Sequence, residues 1–448
     1  MPPAPAILDS FGQPIARAKA PSVSRAMKLR FDAAQTTRHN ERRFSNSDNL
    51  GPLSYLSPEV RAVIRQRARY EYQNSTFCFG MVTSLADDTI GTGPRLQIEA
   101  DEPDDSDDAE TVERLFHEWA EEVDFAGKLH TMRGSKAVDG ESFALLGTNY
   151  NLESPVKLDF RPIEAEMVGS PSLRQNSRQI ADGIILDDFG NRSAYVVLRN
   201  HPGDSAFGFG SDFDLIPARE VIHLYDKLRP GQFRGICEYV SAIPLFEDLR
   251  RYADAVLAAA ETAADHSAVF ETTNQPGDDD DEPEAYDEIE LEKRLGLFLP
   301  KGWKASQMKA EQPTTTFDAF EACIIRRIAR CLGMPFYVAA GDASKYNYSS
   351  ARLDDKRYLK RIRNQRELIR RIGLTRLFNR WWEEARLIHG LLPARFRSFP
   401  KPPAHVWRWD GDEHIDPTKD AGGDQINLAI NATTLAEIYA KKGLNWEK

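Results

Sequence analysis

The residues of this chain that could do chemistry fall into a few stretches. Gly140-Glu141-Ser142-Phe143-Ala144 imitates the turn that presents a nucleophilic serine, but its final glycine is missing. Its flanks read as strand, whereas a serine hydrolase needs strand, sharp turn and helix there. Ser142 is expected to be an ordinary strand serine, and a hydrolase using it is the weaker alternative. His117-Glu118-Trp119-Ala120-Glu121 places Glu121 where a zinc protease has its second histidine. Asp278, Asp279, Asp280, Asp281 and Glu282 form a run that could attract a cation. It lacks the alternating ligands and central glycine of a calcium loop, so it reads as a solvated acidic loop or a partner-docking surface. Eleven Arg or Lys residues lie between Arg352 and Arg380. A helix with that content can meet nucleic acid, or it can solvate one face and pair with neighbouring subunits.

Absences narrow the chemistry further. No Gly-x-x-x-x-Gly-Lys-Ser/Thr loop is present to cradle a nucleotide's phosphates. The nine histidines lie apart without metal-ligand spacing, and His223 sits in an apolar strand pattern as a satisfied core histidine would. Nuclease carboxylates have to converge on one metal pair, whereas the acidic residues here cluster in loops. The expectation is a protein without catalytic activity, cofactor or metal.

The elements that would position these residues differ between the two halves. Residues 1–45 carry eight basic residues, from Arg17 to Arg43, among prolines such as Pro14 and Pro21. They read as a loosely ordered basic arm. Ser57 caps a helix opened by Pro58, and Gly91, Gly93 and Pro94 end a second apolar stretch. An acidic run from Asp101 to Asp108 leads into a helix with Val112, Leu115, Phe116 and Trp119 on one face. Ala137 to Leu146, Val156 to Phe160 and Val221 to Tyr225 read as strands. Ile180 to Leu198 reads as a β-hairpin about Asp188-Phe189-Gly190-Asn191. The first half is therefore α+β.

The second half is mostly helical. Ala242, Phe246, Leu249, Ala253, Val256, Ala260 and Ala263 are spaced 4-3-4-3-4-3, an unbroken heptad seam. Its alanines permit the close approach that a crowded ring of helices needs, although a buried helix in a monomer has the same pattern. Residues 268–314 interrupt it. The charged run cannot enter a core, and Leu295 to Leu299 and Trp303 suggest strands on either side of a protruding module. A helix resumes with Phe317, Phe320, Ile324, Ile328 and Cys331 on one stripe and stops at Gly333-Met334-Pro335. Tyr337 to Tyr348 reads as a loop. Ser349 or Ser350 then caps a long helix with Asp354 and Asp355 in its first turn, running through Trp381 and Trp382. A proline-rich region with a short helix near Thr434 to Lys441 follows.

Bulk properties exclude several classes. At about 100–200 residues per domain, 448 residues suggest about two to four domains. The net charge is −11, whereas a protein that grips DNA is usually basic, because phosphate neutralisation supplies most of the affinity. Cys323 and Cys331 would lie about 12 Å apart on one helix, too far to bridge. With Cys78 and Cys237 they read as reduced, buried thiols of a cytosolic protein. No apolar run of about 18 residues is present to span a membrane, and the start lacks the charged and apolar regions of a signal peptide.

Several stretches, taken in order across roughly residues 55–420, resemble the lambda-like family of phage portal proteins. They are Asn74 to Gly93 (NSTFCFGMVTSLADDTIGTG); Val138-Asp-Gly-Glu-Ser-Phe143; and Gly183-Ile-Ile-Leu-Asp187 with Gly190-Asn191 and Ala194-Tyr195. Val221-Ile-His-Leu224, Arg229-Pro-Gly-Gln232 and Arg234-Gly-Ile236 follow, then Gly333-Met-Pro335 and Asn347-Tyr-Ser-Ser-Ala-Arg352. The resemblance implies an α+β, mostly helical portal fold with wing, stem, clip and crown, assembling as a ring that is usually a dodecamer. Carried onto this chain, 1–53 is the arm, 54–238 the wing, 239–267 and 315–335 the stem helices, and 268–314 the clip. The tunnel loop is 336–350, the long wing helix 351–400, and a short crown-like region 401–448. The implied site residues are Lys345, Tyr346, Asn347 and Tyr348 at the DNA channel, and Asp278 to Glu282 with Trp303 for partner docking. Phe246, Leu249, Ala253, Val256 and Ala260 would pack the ring. The implied partners are the terminase large subunit, major capsid and scaffold proteins, the head–tail connector, and double-stranded DNA without sequence specificity. The place is the portal vertex of a virion assembled in the host cytoplasm. Another structural protein of the head–tail junction is the alternative, though such adaptors are usually much smaller.

Overall fold

A computed structural model describes residues 38, 41–45, 47–99, 106–169, 180–204, 212–264, 268–272, 303–307, 317–411 and 417–442. Residues 1–51 form a unit of their own, in which the hydroxyls of Ser45 and Ser47 close turns onto the carbonyls of Arg42 and Phe44. Most of the expected basic arm lies outside the described residues. The remainder, from Pro52 onward, is a second unit.

That unit opens with α1 (Pro52–Tyr55) and α2 (Pro58–Asn74), whose Ser57 cap accepts from the Val60 amide as the sequence predicts. Next come α3 (Thr76–Ile90), β1 (Arg95–Ile98), α4 (Ser106–Glu122) and α5 (Phe125–Asp139). The strands β2 (Glu141–Thr148), β3 (Leu158–Ile163) and β8 (Val221–Tyr225) form one antiparallel sheet in the order β3-β2-β8. A second sheet, β4-β5-β6-β7, is built from Ile180–Ala181, Ile184–Leu186, Arg192–Leu198 and Phe213–Pro217. Two strand boundaries differ from expectation. Ala137 to Asp139 are the last turn of α5, because Gly140 adopts φ 87° and ends the helix before β2 begins. The strand expected at Val156 starts two residues later. The hairpin turn is as predicted, with the Asp187 carboxylate accepting from the Phe189 and Asn191 amides.

The second half contains α6 (Ile243–Ala264), an antiparallel pair β9 (Ala268–Thr272) and β10 (Trp303–Gln307), α7 (Phe317–Leu332), α8 (Phe336–Ala340) and α9 (Tyr348–Ile369). The expected single long helix is interrupted by a π-helical stretch at Arg370–Leu374 before continuing as α10 (Thr375–Ala385). Buried Gly373 lies there against Ile222 of β8. Then come α11 (Ala394–Arg397), β11 (His405–Arg408), α12 (Pro417–Ala429) and α13 (Leu435–Lys441). The chain is α+β and mostly helical.

Two large apolar cores and a smaller one hold these elements. In the first, Phe116 of α4 meets the rings of Trp119, Phe125, Phe378, Trp381 and Trp407 at centroid distances of 5.1–5.9 Å. Such aromatic contacts each add about 0.5–1.5 kcal/mol beyond area burial. Trp407, within the expected crown-like region 401–448, arrives there because β11 pairs with β1. The second core joins α2, α3, the first half of α6, α7, α8 and α9. Cys78 and Cys237 are buried in it, but Cys323 is exposed and Cys331 half-buried, so only two of the four thiols are buried as expected. Among the described residues no helix is long and apolar enough to cross a membrane.

Candidate functional site

The helix pair α6/α7 is the first part of the site. Ser241 Oγ lies 3.0 Å from Cys331 Sγ at one end, while Tyr252 stacks on Phe317 at 5.6 Å further along. The start of α6 thus meets the end of α7, and the two run antiparallel. From Tyr252, α6 continues for twelve residues to Ala264, about 18 Å at 1.5 Å per residue. α7 begins at Phe317, level with Tyr252, so it does not accompany that length, which is followed in the chain by the β9–β10 pair. The heptad seam divides accordingly. Phe246 and Leu249 are buried against α7 and α2 within the subunit's own core, whereas Ala253, Val256 and Ala260 are only half-buried. Phe246 and Leu249 are therefore not available to a neighbouring subunit, contrary to the expectation that they pack the ring. Leu257, 60% exposed, is apolar surface on the projecting length.

The second part is the loop after α7. Gly333, at φ 62°, ends the helix, and the Met334 amide closes back on the Ala329 carbonyl at 3.0 Å. The expected loop is shorter than 336–350, because Phe336–Ala340 is helical and Tyr348 is the first residue of α9. What remains is 341–347, pinned at both ends. Asp342 Oδ1 accepts from the Ser344 amide, and Tyr337 packs edge-on against Tyr346 at 5.3 Å while its hydroxyl donates to Asp355. Asn347, rather than Ser349 or Ser350, caps α9, its Oδ1 accepting from the Ser350 amide at 2.9 Å. Asp354 and Asp355 lie beyond the first turn. Lys345 and Asn347 are exposed, and Tyr346 is half-buried.

Two buried ionic clusters root these parts. Glu141, wholly buried at the start of β2, accepts from Arg61, from Arg234 Nε and Nη2 at 3.0 and 2.7 Å, and from the Gly235 amide at 2.9 Å. Burial alone would raise its pKa, but Arg234 and Arg61 outweigh it and hold the carboxylate well below its usual range. His223 donates Nε2–H to Glu141 and accepts at Nδ1 from Tyr195, and burial holds its pKa at about 4, so it is neutral. The expected core histidine is thus observed. Glu238, just before α6, accepts from Arg133 (2.9 Å) and Lys136 (2.8 Å) of α5 and from Arg361 (3.0 Å) of α9. These three cations likewise overcome burial and keep it ionised. Sequence reasoning did not single out Glu238, Arg133, Lys136 or Arg361. The usable signal was Arg61, Arg65 and Arg69 at four-residue spacing on one helix, facing Glu141, Glu166 and Asp139.

Residues 49–365 match the sequence family described as phage portal protein, lambda family. The chain belongs to that family. A probable portal protein of Halomonas phage phiHAP-1 is 25% identical, covering 95% of this chain and 85% of the relative. A portal protein of Escherichia phage N15 is 21% identical, covering 75% and 71%. Among solved structures, the neck of an empty GTA particle computed with C6 symmetry aligns with TM-score 0.47 and 14% identity over 89% of this chain and 96% of that one. The virion of a native gene transfer agent particle gives TM-score 0.45 and 14% identity over 87% and 94%.

Portal proteins of this family are structural rather than enzymatic, and the alternative sites fit that. Ser142 is buried in the interior of β2, paired in register with Leu224, and the adjacent strand's His223 has both nitrogens engaged. His117 Nε2 lies 3.4 Å from Glu121 on an exposed helix face. Glu164, Glu166 and His201 bring ligand atoms within 4.8 Å of one another, a cluster the sequence did not suggest. Arg65 and Arg69 already neutralise those carboxylates, which leaves little charge for a cation. Trp303 begins β10 opposite Thr272. Asp278 to Glu282 and Leu295 to Leu299 lie outside the described residues.

Proposed function

We propose that this portal subunit assembles as a ring, in the expected form a dodecamer, at one capsid vertex and conducts double-stranded DNA during packaging and ejection. The observation that carries the reading is α6, which runs antiparallel to α7 along its first half, leaves the core beyond Tyr252 and is followed by the β9–β10 strand pair. Copies side by side around an axis would bury the half-covered Ala253, Val256 and Ala260, with the strand pair forming a collar. In this reading 54–238 with α9 and α10 is the wing, α6 and α7 are the stem, and 268–314 is the clip. The clip, with Asp278 to Glu282 and Trp303, receives the terminase large subunit and later the head–tail connector, while the wing's outer surface meets major capsid and scaffold proteins. The loop 341–347 lines the constriction. There Lys345, Asn347 and the neighbouring Tyr346 and Tyr348 make brief phosphate contacts that fix no sequence. The acidic net charge suits a conduit that has to release what it conducts.

Negative-stain imaging of the purified protein should show rings with a central hole; closed solitary globules under every assembly condition refute the reading. For the loop, K345Q combined with N347D should change DNA retention in a packaging assay. Aspartate caps a helix as well as asparagine does, so N347D keeps α9 intact while removing an amide donor. Unchanged packaging and retention would remove the loop's assigned role.

A further inference from the structure

We propose that the exposed cations Arg352, Lys356 and Lys360 of α9 form a phosphate-binding stripe for double-stranded DNA, extending the DNA-facing surface beyond the 341–347 loop. The three are spaced four residues apart, so they share one helix face over about 12 Å of axis. All three are exposed, and among the described residues none has an ion-pair partner. The helix's own carboxylates are turned to other tasks. Asp355 accepts from Tyr337, Asp354 lies 3.9 Å from Arg357, and Glu367 is paired with Arg370 at 2.7 Å. Like charges at this spacing repel, at about 0.2–0.5 kcal/mol per neighbouring pair, and nothing described within the subunit repays that cost. The arrangement is unexpected in a chain whose net charge is −11.

The stripe fits a polyanion better than a second subunit. Protein interfaces bury an apolar centre and are depleted in lysine. Here two of the three residues are lysines, and Leu353, 54% exposed, is the apolar residue beside them. Duplex DNA presents one charge per about 1.7 Å of axis, so 12 Å of helix faces several phosphates whatever the sequence. The stripe also starts one turn beyond the Asn347 cap, so it continues from the loop that carries Lys345.

The inference rests on the portal reading, and the test separates the two. Assembled rings of wild type and of the triple variant R352Q/K356Q/K360Q are titrated with a short linear duplex at several salt concentrations, with ring number followed by mass photometry. Each cation that no longer neutralises a phosphate should reduce the salt slope of log K by about 0.9, hence by about 2.7 for the triple variant. Over a fourfold rise in salt, that is about a forty-fold smaller drop in affinity. K356Q alone should give about one third of the change, and R352K/K356R/K360R should keep the wild-type slope. An unchanged slope in intact variant rings overturns the stripe and leaves the portal reading standing. Failure of the folded variant to form rings makes the three cations subunit contacts and also overturns it. If the wild type itself forms no ring, the portal reading fails, and the inference with it.

Discussion

Replacing Glu141 by glutamine should be among the most damaging conservative changes in this protein. The carboxylate is wholly buried and takes hydrogen bonds from Arg61, Arg234, His223 and the Gly235 amide. Glutamine has the same shape but offers one acceptor oxygen and no charge. Arg61 and Arg234 would then share Asp182 as their remaining anionic partner in a largely buried site. Removing one member of a buried ion pair typically costs about 3–5 kcal/mol, mostly because the other charge is left uncompensated. The assay is urea unfolding of the subunit followed by tryptophan fluorescence, since Trp119, Trp381, Trp382 and Trp407 all lie in the first core. D214N is the control, because its partner Arg199 is on the surface and should lose little when the charge is removed. E141Q should unfold at clearly lower urea than D214N. Coincident midpoints for the two variants would refute the reasoning, because they would mean that the buried network is already relieved by solvent.

Other variants test other parts of the structure. G140A should abolish soluble expression, since Gly140 sits at φ 87° and a Cβ there would lie 2.1 Å from the Ile236 carbonyl carbon; G134A, with nothing within 4 Å, should express normally. His223 is neutral when folded, with a pKa of about 4 against about 6.5 when unfolded. Its contribution to stability is therefore complete above pH of about 6.5 and falls as pH drops toward 4, by on the order of 3 kcal/mol. H223Q should flatten urea midpoints measured between pH 7 and 5, and an unchanged slope would place the titration elsewhere. F246A should cost the subunit about 3–5 kcal/mol, whereas V256A should leave its urea midpoint nearly unchanged and lower the ring fraction seen by mass photometry.

Spacing revealed the helices better than it revealed what their faces meet. The Ser57 cap, the Asp188–Asn191 turn and the Gly333 stop were legible because each depends on local backbone chemistry. Charge patterns were not legible in the same way. Arg61, Arg65 and Arg69 have the same four-residue spacing as Arg352, Lys356 and Lys360, yet Arg61 and Arg65 are buried against carboxylates and the second set is exposed. What separates them is which acidic residues the fold brings alongside, and Glu141 of β2 and Asp182 of the β4–β5 turn come from 80 or more residues away. The heptad seam misled for a related reason. One regular stripe serves two surfaces, because α6 leaves the core partway along its length.

The two ionic clusters pin the segment that leads from β8 into α6. Apolar packing is non-directional, so by itself it sets the orientation of a segment less sharply than hydrogen bonds do. Hydrogen-bonded charges cannot slide, because displacement strands them in a low dielectric. Glu141 fixes the chain at Arg234 and Gly235, and Glu238 fixes it again two residues before the turn that starts α6. Through Arg361, Glu238 also ties that root to α9, one helix beyond the 341–347 loop, while the Arg361 stem crosses Gly333 where a Cβ would lie 2.9 Å away. The root of α6, α5 and the helix following the loop therefore share one charged anchor. Rotating α5 or α9 against the root of α6 would break a bond to Glu238.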